Sequence, residues 1–362
     1  MNQMWRVLGI DLAWGEGSVS KAPNESGVAA ANADGTIVDA GWTIGIEQTL
    51  EWIRQWKSAD TLLMIDAPLV VTNETGQRAC ERQVGRRYGR WNVSANSTNI
   101  GSPRLAGVTL LAELEKAGWL YQPGFDGPPT AGLVAAECYP YTAIVGTVEL
   151  SYEDRPRYKR KPKSMSTADF RPSRTKACDD LISRLASLST ANPRFDLTSH
   201  LETARLVEEQ TPSADGEYKH REDLIDASIC AWTGLLWLHG GLDRCQVLGD
   251  PEESPKPATI VAPARPEQRA LLVPAKAASE MDLIEFAFNY HGYEIHGELG
   301  LSRIAKAVET RWTNHGTLPT DLSRLRATLF FLQRQHRYVE DPRPFGEIPL
   351  VRALLAQIRE AV

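Results

Sequence analysis

Cysteines are few and dispersed. Cys80, Cys138, Cys178, Cys230 and Cys245 are odd in number and no two form a CxxC pair, which argues against a zinc ribbon and against a disulfide framework. Long apolar runs are missing too, and none reaches the length of a bilayer span. The opening MNQMWRVLGID has no basic stretch followed by an apolar run, so it does not read as a secretory signal. By elimination the expected location is cytoplasmic, with no membrane partner. An excess of positive charge is absent: 40 Lys and Arg stand against 46 Asp and Glu, a net charge of −6, which excludes a uniformly basic nucleic-acid coat. Histidines number seven. His200 and His239 read as surface or capping residues. His291 and His296 have no acid or Cys spacing that suggests a metal, and only His220, three residues before Asp223, falls near a candidate site.

What is present is enough apolar residue, 42% of 362, for one large domain and something smaller. Residues 5–13 read as a buried strand, and 26–33 and 36–44 as two more around the turn Asp34-Gly35. Residues 48–57 place Leu50, Ile53 and Trp56 at helical spacing. The run TLLMI at 61–65 suits a strand buried on both faces. Ser102 reads as an N-cap, Pro103 as a first helical residue and Gly118 as a stop. Residues 132–137 read as a strand, 152–176 as a polar, basic, mobile loop and 175–189 as a helix. Ser199 and Glu202 suggest a capping box, and 221–239 a strong helix ending at Gly240-Gly241. Six prolines mark 249–276 as an extended linker. Helical patterns follow at about 281–290, 301–312, 321–337 and 349–361.

The expected organisation is therefore an α/β domain over 1–248, a linker over 249–276 and a small all-helical domain over 277–362. An antiparallel meander followed by parallel strands reached through helices is the ribonuclease H-like order. The expected sheet is mixed and five-stranded, flanked by helices.

Two acids stand where acids are costly. Asp11 interrupts the apolar run Val7-Leu8-Gly9-Ile10-Asp11-Leu12, and Asp66 ends Leu62-Leu63-Met64-Ile65. A buried charge costs several kcal/mol unless paired or coordinated. Each Asp alone could cap a turn; two at comparable strand positions point to a shared site. Asp223 and Asp226, three apart, share a helical face. A helix-dipole role accounts for Glu222 and partly for Asp223 but poorly for Asp226, which is deeper and flanked by apolar residues. Glu137 ends the strand GLVAA and is a fifth candidate, with a structural role equally open. Convergence of Asp11, Asp66, Asp223 and Asp226 would make a hard, oxygen-only site suited to Mg²⁺ or Mn²⁺. Two such ions would serve hydrolysis of a phosphodiester.

The segments GIDLAW at 9–14, IDAPL at 65–69, RACERQVGRRYG at 78–89, AECYPYTA at 136–143 and EDLIDA at 222–227 together resemble domain-of-unknown-function family 429, whose members are described as predicted ribonuclease H-like nucleases. The resemblance covers roughly residues 5–245. The wider superfamily includes Holliday-junction resolvases, with an Asp on the first strand, an acid ending the fourth and a D-x-x-D pair on the last helix. The resemblance implies metal-ligand roles for Asp11, Asp66, Asp223 and Asp226, and places Glu137 in the narrower family pattern.

Two basic segments flank these acids. Residues 78–104 hold six arginines and one acid, with Tyr88 and Trp91 interleaved; residues 155–176 hold nine basic residues and one acid. Such mixtures suit phosphate contact and base stacking. Arg78, Arg82, Arg86, Arg87, Lys159, Lys161 and Arg174 are the candidates for DNA or RNA contact, although Arg78 and Glu81 would equally make an internal salt bridge. A solvated loop balancing the carboxylates is the plainer alternative. The leading expectation is a metal-dependent nuclease using two ions. The alternatives are a non-catalytic nucleic-acid-binding or scaffold protein and, less favoured, an actin-like or sugar-kinase-type phosphotransferase, for which no second copy of the domain is visible. From residue 276 onward there are 11 basic and 11 acidic residues, so residues 277–362 have no charge bias. They would serve partner docking, self-association or a lid, and Leu329, Phe330, Phe331 and Leu332 suggest burial against something.

Overall fold

The computed structural model describes residues 5–15, 24–162, 165–269, 292–336 and 344–361. The chain divides into two compact units, Met1–Val84 with Trp91–Arg265, and Gly85–Arg90 with Pro266–Val362. The helix expected at 281–290 and the last part of the Pro-rich stretch lie outside the described residues.

The first unit runs β1 (Arg6–Asp11), β2 (Glu25–Asn32), β3 (Ile37–Ile44), α1 (Gly45–Trp56), β4 (Thr61–Ile65), the start of α2 (Ala79–Tyr88), α3 (Ala106–Lys116), β5 (Leu120–Tyr121), β6 (Leu133–Glu137), α4 (Pro140–Gly146), α5 (Thr167–Ala186), α6 (Leu201–Glu208), α7 (Asp215–Arg244), β7 (Cys245–Leu248) and β8 (Ile260–Pro263). The main sheet has the order β3-β2-β1-β4-β6-β5. Its β3-β2-β1 half is antiparallel, and β1, β4, β6 and β5 run parallel. The sheet is mixed and flanked by helices as expected, but it has six strands. The sixth, β5, is two residues long, too short to leave an apolar pattern. Every residue of β4 is buried, as a central strand covered on both faces requires.

Helix α7 lies on one face of this sheet, and glycines set how close. A Cβ on Gly9 would fall 2.2 Å from the Ala227 carbonyl oxygen, and one on Gly27 would fall 2.0 Å from that of Asp223. On the helix side, a Cβ at Gly234 would fall 2.6 Å from Val7 Cγ1. The helix backbone thus rests directly on β1 and β2. Because side chains alternate along a strand, Val7, Gly9 and Asp11 share the face that meets α7.

Several local expectations are corrected. α3 begins at Ala106, and the Ser102 hydroxyl instead accepts from the Asn99 amide at 3.0 Å in the preceding turn. Gly118 does follow the helix, at φ 86°, the left-handed conformation favoured by glycine after a C-terminus. Part of the expected loop 152–176 is helical: Ser166 caps α5 by accepting from the Asp169 amide at 3.1 Å. His200, not Ser199, caps α6, since the Ser199 hydroxyl accepts from the Ile37 amide at 2.8 Å. The Pro-rich stretch expected as an extended linker contributes β8, which pairs antiparallel with β7, and Ala258 to Ala262 are buried.

In the second unit, α8 (Gly292–His315), α9 (Leu322–His336) and α10 (Pro349–Ala361) bury Val308, Leu325, Leu329, Val351, Leu354 and Ile358 in one core. Leu329 is thereby covered within its own unit, with Leu332 packed against the same core, while Phe330 and Phe331 are half-buried. No helix of the described residues is long and apolar enough to cross a membrane.

Candidate functional site

β1 and β4 are parallel with Ile10 opposite Ile65. Asp11 and Asp66 therefore leave the sheet side by side at the carboxyl ends of adjacent strands, where open α/β sheets bind ligands. The Asp66 amide donates to the Ile10 carbonyl at 2.8 Å, which fixes this alignment. Across the other edge of β1, Asp11 pairs with Gly27, and the Asp223 backbone lies on Gly27. That contact brings the Asp223 carboxyl within hydrogen-bonding reach of Asp11. Asp11, Asp66 and Asp223 thus form one cluster.

Glu137 does not join it. β6 sets Glu137 opposite Ile65, one position before Asp66, and a one-residue offset turns a side chain to the other face. There it accepts from both terminal nitrogens of Arg78 at 2.6 and 2.8 Å and from the Leu69 amide at 2.9 Å. Arg78 also donates from Nε to Glu81 at 2.8 Å, while Glu81 accepts from the Thr98 amide at 3.0 Å. Burial opposes the Arg78 charge, but Glu137 outweighs it and holds the guanidinium well above its ordinary pKa. Glu137 and Arg78 are thus paired with each other inside the protein, the arrangement that the sequence left open beside a catalytic role for the first and a nucleic-acid contact for the second.

Asp226 sits one turn beyond Asp223 and is wholly buried. Its Oδ1 accepts from the Tyr158 hydroxyl at 2.6 Å, and its Oδ2 faces the Lys159 ammonium in an ion pair. α7 starts two turns before Asp223, so Asp215 and Glu217 are the acids of its first turn, and a dipole role for Asp223 or Glu222 falls away.

Two lysines enter the cluster. Lys159 comes from the segment expected to be a mobile loop, and Lys219 from α7, where it pairs with Glu222 at 3.3 Å and with Asp223. Burial works against the Lys159 charge, but Asp11, Glu222 and Asp66 more than compensate and hold its pKa above the ordinary lysine value. Burial and the Asp11 charge push Asp66 up to about 8, and the same two causes push Asp223 up to about 8. Arg155 and Arg160 act electrostatically on Tyr139 together with Asp66 and Lys159, so this basic segment borders the cluster. The sequence pointed to Lys159 as a candidate for nucleic-acid contact, not as the partner of Asp226. Lys219 was missed, although its position four residues before Asp223 on a helix is a signal for pairing.

The remaining basic candidates have the following surroundings. Arg174 donates to Asp215 at 2.7 Å and to the Ser213 carbonyl at 3.0 Å, and stacks over Tyr218 at 3.9 Å. It anchors the start of α7 and is not available to a phosphate. Lys161 donates to the Met165 carbonyl at 2.7 Å, and Arg82 to the Gln77 carbonyl. In the second unit Arg86 is exposed and Arg87 donates to the Arg269 carbonyl at 3.3 Å. His220 stacks on Trp42 with ring centroids 3.4 Å apart and bonds Glu25 at 2.8 Å, so it is held away from Asp223.

Among the described residues no group of three or more His, Cys, Asp or Glu side chains is arranged to hold a metal ion; the carboxylates are closed around the ammonium groups. The chemistry of the donors nonetheless fits a hard divalent ion. Asp11, Asp66 and Asp223 supply oxygen only, and the crowding that keeps Asp66 and Asp223 protonated is what a bound cation relieves. Lys219, 59% exposed at its side chain, is free to withdraw.

The fold and this site define a class: an α/β protein whose parallel strands end in a carboxylate cluster beneath a single long helix. The chain belongs to the family described as Protein of unknown function (DUF429), which matches residues 9–253. No curated protein and no solved structure matches it.

The raised acids make a pH prediction. Asp66 and Asp223 bind protons more tightly folded than unfolded. Their stabilising contribution is complete below the ordinary carboxylate range near about pH 4 and is lost as pH rises through about 8. In chelator, Asp66→Asn is therefore expected to gain stability relative to wild type between about pH 5 and about pH 9. The gain is on the order of a few kcal/mol, at about 1.4 kcal/mol per pKa unit. Denaturant unfolding of both proteins across that range measures it. Parallel curves would mean that Asp66 titrates like a surface acid.

Proposed function

We propose that the first unit is a divalent-metal-dependent phosphodiesterase acting on DNA or RNA, on a ribonuclease H-like fold. The observation that carries this reading is the convergence of Asp11, Asp66 and Asp223 at the carboxyl ends of β1 and β4 beneath α7. The order β3-β2-β1-β4-β6, antiparallel then parallel, supports the fold assignment. Asp11, Asp66 and Asp223 would hold Mg²⁺ or Mn²⁺, which when bound supplies Lewis acidity toward a phosphodiester and lowers the pKa of water. Arg155 and Arg160, which border the cluster, give the neighbouring surface the positive charge that a phosphate backbone requires.

The pairing of Lys219 with Asp223 and Glu222 favours one alternative, a non-catalytic nucleic-acid-binding or scaffold protein whose carboxylates are neutralised internally. A phosphotransferase of the actin-like kind gains no support, since the described residues of the second unit form helices and no second sheet.

The deciding experiment is Mn²⁺-dependent cleavage of labelled single strands, duplexes, RNA–DNA hybrids and branched junctions by wild type and Asp11→Asn. Cleavage is expected for wild type and loss of at least about a hundredfold for the variant, the scale of removing a group that acts at the reacting centre. Nucleic-acid binding that persists in chelator with no cleavage of any substrate would establish the binding-module reading instead.

A further inference from the structure

We propose that Lys159 is a resident cation of this site, occupying the place that a four-carboxylate set would give to a second metal, so that the protein binds a single divalent ion on Asp11, Asp66 and Asp223. The proposal rests on the reading that these carboxylates take a metal, but not on cleavage of a nucleic acid.

The fourth carboxylate of the set is Asp226, and Asp226 is committed; Glu222, the other buried acid near Lys159, is paired with Lys219 at 3.3 Å. Asp226 is wholly buried, its Oδ1 accepts from Tyr158 at 2.6 Å, and its Oδ2 faces the Lys159 ammonium. An ammonium on a carboxylate oxygen satisfies the charge that a metal would otherwise satisfy. Glu137 offers no substitute, being turned to the opposite face and held by Arg78.

Lys159 is built into this position. Its neighbour Tyr158 is fully buried and its backbone carbonyl accepts from the Tyr218 hydroxyl. The ammonium lies 5.6 Å from the Tyr141 ring centroid and 5.7 Å from that of Tyr158, a distance at which the ring faces stabilise a cation. Its side chain is only 21% exposed. Lys219 differs: it stands on the helix surface, 59% exposed, over Glu222 and Asp223. Lys219 can swing away from Glu222 and Asp223 into solvent, whereas Lys159 cannot depart without leaving Asp226 as an uncompensated buried charge. One divalent ion therefore has a place and two do not.

Titration calorimetry with Mn²⁺ on the full chain tests this, together with electron paramagnetic resonance of the Mn²⁺-saturated protein. Wild type is expected to bind one ion and to give an uncoupled Mn²⁺ spectrum, with Asp11→Asn weakening binding by at least about tenfold. Lys159→Met is expected to bind a second ion, and Lys159→Arg to keep the wild-type count. Two coupled ions on wild type, no ion on wild type, or an unchanged count and affinity in folded Lys159→Met would overturn the proposal. Should Lys159→Met fail to fold, the wild-type spectrum alone decides. The two readings separate cleanly: one bound ion with no cleavage removes the nuclease and leaves Lys159 in place, whereas two bound ions with cleavage do the reverse.

Discussion

Gly27→Ala is expected to destabilise the protein by roughly 3 kcal/mol or more, at or beyond the upper end of overpacking costs, and to weaken Mn²⁺ binding in whatever remains folded. The added Cβ would lie 2.0 Å from the Asp223 carbonyl oxygen and 2.4 Å from its carbon. Both are backbone atoms inside a helix, so no side-chain rotation relieves the clash and α7 must lift from the sheet. Lifting it separates Asp223 from Asp11, which faces Gly27 across the β1–β2 pair. Gly9→Ala meets the same obstacle, with its Cβ 2.2 Å from the Ala227 oxygen and 2.3 Å from the Ala231 nitrogen. Gly41 is the control. It lies in β3, and nothing stands within 4 Å of its Cβ position. Gly41→Ala should be neutral or slightly stabilising, by up to about 1 kcal/mol, because glycine is a poor strand residue. Equal stability of Gly27→Ala and Gly41→Ala in urea would show that α7 does not rest on β2.

Arg78→Met is expected to cost about 3–5 kcal/mol, the range for removing one member of a buried ion network. Arg78 is 2% exposed and is the shared partner of Glu81 and Glu137, both also buried. Its loss strands two carboxylates away from water. Lysine should not rescue, since one ammonium cannot donate in parallel to both oxygens of Glu137 while also reaching Glu81. The triple variant Arg78→Met, Glu81→Gln, Glu137→Gln should recover much of the loss, because the stranded charges go with the arginine. A loss below about 1 kcal/mol for Arg78→Met, the scale of an exposed pair, would contradict the structural role. Nucleic-acid affinity supplies a second readout. A phosphate-binding arginine would reduce the salt dependence of binding when removed, and Arg78 should leave it unchanged.

The two mutations explain what could be read in advance. Strand β4 was legible to the residue because a five-residue apolar run has one compact use in an α/β chain. The acids at 11 and 66 were legible because each sits against such a run. Glu137 has the same local appearance, yet it lies on the opposite face. That difference arises from a single step of register between β4 and β6, which no local pattern records. The loop expected at 152–176 concealed the inward placement of Lys159 for a related reason. Tyr152, Pro156 and Tyr158 are buried while Arg157, Arg160 and Lys161 are exposed, but strong basic composition masks an inward alternation when the residues between are also charged. Asp223 and Asp226 share a helical stripe, yet Asp223 meets Asp11 while Asp226, about one turn further along α7, meets Tyr158 and Lys159.

The sequence by itself determined β1 to β4, β6 and the body of α7, that acids end the first and fourth strands, and that a paired acid motif rides on a long helix. These follow from apolar periodicity and from the cost of burying charge, both of which are local. The tertiary structure alone decided which acids meet, which cation meets them and which arginine is consumed inside the protein. Those outcomes depend on strand register and on the separation of helix and sheet, and both are set by contacts between residues far apart in the chain.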